Sequence, residues 1–98
     1  MKHLITAFAY DKRGRLLSIG RNNYVKSHPT QARLAAKVGQ PQKIYLHAEI
    51  DALLKARQKV HLLVVVRVKK DGTYGNARPC AICREAIRFF GVTHVEHS

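Results

Sequence analysis

The sequence is poor in acid. It has 6 Asp and Glu against 18 Lys and Arg, a net charge of +12. That imbalance points to polyanionic partners: single-stranded nucleic acid or phosphorylated small molecules. The cations are spread along the chain rather than gathered in a block. Charge alone therefore does not separate a nucleotide phosphate from a polynucleotide backbone, and a basic surface that only keeps the protein soluble is the plain alternative. There is no run of 18 or more apolar residues, which excludes a membrane-spanning helix. Met1-Lys2-His3-Leu4 lacks the architecture of a signal peptide. Only 2 cysteines occur, both in one short motif, which fits a reducing interior and a cytoplasmic location. No internal repeat, linker or low-complexity tract is visible. With 98 residues, 46% of them hydrophobic, the chain is expected to form one globular domain over residues 1–98. A domain this short leaves much of its surface exposed, so metal binding and assembly into a homo-oligomer are expected helpers.

Two short motifs stand out. His47-Ala48-Glu49 opens the run Ile50-Asp51-Ala52-Leu53-Leu54, and Pro79-Cys80-Ala81-Ile82-Cys83 opens a second run through Phe90. Cysteines three apart on a helix share a face, so Cys80 and Cys83 can grip one ion. A helix N-terminus favours thiolate and readies it for metal. His47 would add an imidazole from a different helix. Three protein ligands are the number found in catalytic zinc sites, where the fourth position is left to water. Glu49, two residues past His47, can be aimed beside the metal without binding it, and there it can carry protons. The bland alternatives are a redox pair, a carboxylate answering a helix dipole, and a structural zinc site completed by His61, His94 or His97.

The rest of the chain reads as alternating elements. Residues 4–10 and 15–20 are expected to form a hairpin around Asp11-Lys12-Arg13-Gly14. Asn22 and Asn23 mark a turn or a substrate contact. Ser27-His28-Pro29-Thr30 is a break, after which Thr30 caps a short helix stopped by Gly39. Gln40-Pro41-Gln42 is a second break, and residues 25–46 are expected to wall the site. The first motif helix spans residues 47–58, with Ile50, Leu53 and Leu54 as its core stripe and Asp51–Lys55 as an i,i+4 pair. The run 61–68 is apolar enough for a strand covered on both faces. A polar loop turning at Asp71-Gly72 leads to the second motif helix, which Gly91 stops. Residues 92–96 form a last strand, and His97-Ser98 is tail.

H-x-E followed by P-C-x-x-C, in the order hairpin, helix, strand, helix, strand, resembles the cytidine deaminase-like superfamily over roughly residues 4–96. The resemblance implies a three-layer α/β/α fold with a mixed sheet of about four strands, in a minimal form that lacks the family's first helix and last strand. One Zn2+ would be held by His47, Cys80 and Cys83, with Glu49 as proton shuttle. Gly20-Arg21-Asn22 looks like the family's G-x-N, which assigns a substrate contact to Asn22. Backbone around Ala48 and the Pro79–Cys80 junction would meet the base. The implied activity is hydrolytic conversion of cytosine to uracil in a cytidine or deoxycytidine nucleoside or nucleotide. A deaminase acting on cytosine or adenine within single-stranded DNA or RNA, tRNA included, is one alternative. A basic nucleic-acid-binding module with structural zinc is another.

Overall fold

The computed structural model describes residues 4–23, 27–40 and 46–98. The expected hairpin is present: β1 (Leu4–Tyr10) pairs antiparallel with β2 (Leu16–Arg21), with Phe8 opposite Ile19 and Ala7 opposite Gly20. Asp11 closes the turn, its carboxylate accepting the backbone N–H groups of Arg13 and Arg15 at 2.9 Å. On its other side β1 pairs antiparallel with β3 (Leu62–Val68) along its whole length. The first half of β3 takes β5 (His94–His97) as a parallel neighbour, and its second half takes the two-residue strand β4 (Tyr74–Gly75). Among the described residues the mixed sheet therefore has five strands, one more than the roughly four expected, because the loop after β3 folds back at Gly72 (φ 87°) and pairs briefly.

Among the described residues three helices complete the α/β fold: α1 (Pro29–Lys37), α2 (Ala48–Ala56) and α3 (Ala81–Phe90). Helix α2 lies on β1 and β2, α3 packs on α2, and α1 packs on α3. The strand residues that face them, among them Ala7, Ala9, Leu63 and Val65, join Ile50, Leu53, Ile82 and Ala86 in one core. On the opposite face of the sheet no helix is found among the described residues; a second helical layer is not among them. The β3 run was expected to be covered on both faces, yet only Leu63 and Val65 within it are fully buried.

Several local expectations change in the same way. Helix α1 is capped by His28, whose Nδ1 accepts the Thr30 N–H at 3.1 Å, and Thr30 lies inside the helix. Ser98 is stitched in rather than a tail: its Oγ donates to the Gly75 carbonyl at 2.6 Å, and its N–H donates to the Val65 carbonyl at 3.0 Å. The break expected around Pro41 lies outside the described residues.

Gly20 positions the first motif helix. A β-carbon there would run into the Ala48 carbonyl and the Ala52 amide. Only glycine lets β2 approach the α2 backbone this closely. Nearby, Ser18 donates to the Ala52 carbonyl at 2.6 Å, and the Arg21 N–H donates to Asp51 at 3.1 Å. Because the obstructing atoms are main chain and cannot swing aside, Gly20→Ala is expected to cost about 3 kcal/mol, the upper end of ordinary overpacking. Urea titration checks this. A loss below about 1 kcal/mol would mean that the close seat does not matter.

Candidate metal centre

Both motifs begin a helix in the same way. His47 is the N-cap of α2 (φ −82°, ψ 154°) and Cys80 is the N-cap of α3 (φ −72°, ψ 175°). Each gives its carbonyl to the first helical hydrogen bond, accepting from Asp51 at 2.9 Å and from Arg84 at 2.8 Å. Neither side chain caps its helix. An N-cap side chain typically contributes about 1 kcal/mol by capping, and here that contribution is forgone twice. The two side chains turn toward each other instead.

They meet around Cys83, on the first turn of α3. His47 Nδ1 lies 3.2 Å from Cys83 Sγ and 3.5 Å from Cys80 Sγ. All three ligand atoms fall within 4.8 Å of one another. A tetrahedral ion with thiolate bonds near 2.3 Å and imidazole bonds near 2.0 Å places such atoms about 3.5–3.8 Å apart. The residues therefore fit a small metal ion. His61, His94 and His97 do not belong to the cluster, so the expected fourth ligand of a purely structural site is not supplied by them.

The electrostatics suit a cation. Cys80 is held down to about 3, first by a hydrogen bond from the Cys83 thiol and then by His47. Cys83 is pushed well up by that same bond, by burial and by the nearby Glu49 carboxylate. The two sulfurs thus share a proton that a bound cation would displace. Glu49 is 5% exposed, and burial raises its carboxyl above the usual range. The Cys83 sulfur is close enough to act on its charge, which sets Glu49 beside the cluster. Both helix N-termini carry positive partial charge and begin at this point, which favours thiolate and any negative charge formed there.

The remaining expected site residues have mixed placements. Ala48 is buried at the start of α2, and Pro79 is half-buried directly before Cys80. Asn22 is next to the strand whose end rests on α2, but its Oδ1 accepts the Ile5 N–H at 3.1 Å and so serves the edge of β1. Asn23 ties the same segment toward the centre by donating its N–H to the Leu46 carbonyl at 2.9 Å.

Two supporting residues were not singled out as such. Gln31 is fully buried, and its Oε1 accepts the His47 N–H at 3.2 Å. This bond satisfies the backbone of a residue of the candidate cluster from α1, so that helix does wall the site. Asp51 forms the expected pair with Lys55 at 3.0 Å, but it also anchors β2 through Arg21. Nothing in a single sequence marks Gln31 as inward-facing. Asp51 announced only its local partner.

A separate cleft of about 420 Å3 lies between α1 and the C-terminal end of α3. Leu34, Leu54 and Phe90 line it, with Arg33, Lys37 and Phe89 around them. Phe89 is 67% exposed.

No family model matches this chain, and no curated protein matches it.

Proposed function

We propose that this chain is a zinc-dependent hydrolytic deaminase that converts cytosine to uracil in a cytidine or deoxycytidine nucleoside or nucleotide. One observation carries the reading: His47, Cys80 and Cys83 converge from two helix starts, with the buried carboxyl of Glu49 beside them. Two thiols and one imidazole are a donor set well suited to zinc. When bound, zinc in a three-ligand site supplies a water that ionises near neutral pH.

The protein's own part is proton handling. Glu49 takes a proton from the water and passes it to N3 of the ring. Glu49 then takes the proton of the hydroxyl now on C4 and passes it to the departing amine. Water thus replaces the C4 amino group, and ammonia leaves. Burial fits Glu49 for this work, since a carboxyl with a raised pKa holds a proton between transfers more readily than an exposed one. The α2 and α3 N-termini stabilise negative charge near the ring as it develops.

The cleft between α1 and α3 favours a second reading, in which the base belongs to a single strand of DNA or RNA. An exposed aromatic ring beside cations is a stacking platform for successive bases, and a chain with net charge +12 attracts phosphates. Ammonia release by the zinc-loaded protein divides the readings. The panel holds cytidine, deoxycytidine, their monophosphates, adenosine, and cytosine- or adenine-containing oligonucleotides. Release from a cytosine monomer is expected. Release from oligonucleotides alone would transfer the case to the polynucleotide reading. No release from any of them, with zinc bound, would leave a module whose metal only holds the fold.

A further inference from the structure

The face of the sheet turned away from the helices is largely apolar, and no described helix packs on it. Strand pairing sets its members. Phe8 is paired with Ile19 on one side and Val64 on the other, while Leu4 and Val68 face each other, as do Thr6 and Val66. Leu4 is 65% exposed and Ile19 is 38% exposed. Phe8, Val64, Val66 and Val68 are only partly buried and stand outside the core cluster. Two-layer packing leaves solvent-facing strand positions that are normally polar. Here they are largely Val, Leu, Ile and Phe, and an apolar patch of this kind marks an interaction surface.

Its charges indicate what covers it. Among the described strand residues of this face, the only Lys, Arg, Asp or Glu are Arg21, beside Thr6 at the β2 edge, and Glu96, beside Val64 at the β5 edge. The chain has six carboxylates. Asp11 is engaged with Arg15, Asp51 with Lys55, Asp71 with Thr73, Glu85 with Lys37 and Arg88, and Glu49 with the metal-ligand cluster. Glu96 alone has no ion-pair or hydrogen-bond partner among the described residues, in a chain with 18 Lys and Arg. Arg21 likewise has no side-chain partner among them.

We infer that this face is covered by a second copy of the chain, stacked sheet on sheet about a two-fold axis that runs parallel to the strands between β1 and β3. The strands lie in the order β2, β1, β3, with β5 on the far side of β3. The two-fold sets β2 of one copy over β5 of the other, and preserves height along the strands. Arg21 and Glu96 sit two residues apart in height, about 6.6 Å. Stacked sheets are about 10 Å apart, within the combined reach of these two side chains. The symmetry makes the pair twice, and it lays the Phe8 row of one copy on the Val64 row of the other. Strands of seven residues and four strand positions give a face of about 23 by 19 Å. Once its side-chain relief is included, that is of the order of the roughly 600 Å2 per partner at which specific interfaces begin. Arg21 is the one Lys or Arg among the described strand residues of the face, so the repulsion between the copies is small where these strands meet.

Sedimentation velocity over a range of protein concentrations tests this, in moderately high salt to screen the repulsion between the chains. The wild-type mass is expected to rise from 11.1 kDa toward twice that value. Val64→Glu, outside the core, should keep its wild-type circular dichroism spectrum and remain monomeric. Glu96→Arg, which opposes two arginines, should weaken the dimer about tenfold, and adding Arg21→Glu should restore it. A wild type that stays monomeric throughout, a dimer indifferent to Val64→Glu, or a double charge reversal that fails to recover association would each overturn the proposal. None of these readouts depends on metal or on turnover.

Discussion

Glu49→Gln is expected to lower turnover by about a hundredfold to ten-thousandfold, the usual contribution of a positioned general acid–base group. Metal content should stay at the wild-type level, because the side chains that could hold the ion are His47, Cys80 and Cys83. The same substitution should raise the melting temperature of the metal-free protein at neutral pH. Burial lifts the Glu49 pKa in the fold above its value in the unfolded chain. A group raised in this way contributes stability that is fully present below its unfolded pKa and lost as pH rises through its folded pKa. That stability therefore falls away as the pH rises above the ordinary glutamate range. Glutamine has the same shape and stays neutral at every pH, so it avoids the loss, and its advantage should fade as the solution is acidified toward the ordinary glutamate pKa. Opposite signs in rate and stability are the mark of a group kept for chemistry at the expense of folding. Parallel assays of ammonia release, zinc content and melting temperature across pH check the three parts. A variant that keeps more than about a tenth of the rate would remove Glu49 from the proton path.

How far the sequence could be read follows from the range over which each signal acts. The hairpin, the two motif helices and the Gly91 stop were legible because alternation, helical spacing and positive-φ glycine are properties of a few adjacent residues. The meeting of His47 with the Cys80–Cys83 pair was legible because helical spacing sets the two cysteines on one face and each motif opens a helix. The seat of Gly20 on α2 was not legible. A glycine at a strand end looks like a turn until the helix that needs the space is known. The β3 run shows the same limit from the other side. Val64 and Val66 are as apolar as Val65, so composition expects cover on both faces, but what covers a face is decided by elements elsewhere in the chain or in another molecule. Ser98 and Gln31 act over 23 and 16 residues respectively, and neither has a local pattern that would reveal it.

The ligand cluster also sets the second large effect. Cys83→Ala should abolish stoichiometric zinc binding and make the protein insensitive to chelator. Cys83 is fully buried, shares its proton with Cys80 and stands closest to His47, at 3.2 Å. Removing it leaves two ligands from the N-caps of different helices, too few to hold the ion against water. The consequence for stability follows from linkage. An ion bound only by the folded state at a thousand times its Kd stabilises by about 4 kcal/mol. A domain of this size shifts by roughly 4–8 °C per kcal/mol. Wild type stripped with chelator should therefore melt roughly 15–30 °C below the zinc-loaded protein. Cys83→Ala should melt near the stripped wild type whether or not zinc is present, and slightly lower for the lost sulfur packing. The size of the effect would reflect the architecture: side chains from the N-termini of α2 and α3 meet without capping their helices, and a bound ion would tie the two helices together. Metal analysis after gel filtration, paired with melts in zinc and in chelator, provides the check. One zinc per chain retained by Cys83→Ala would mean that the three side chains meet for a reason other than metal.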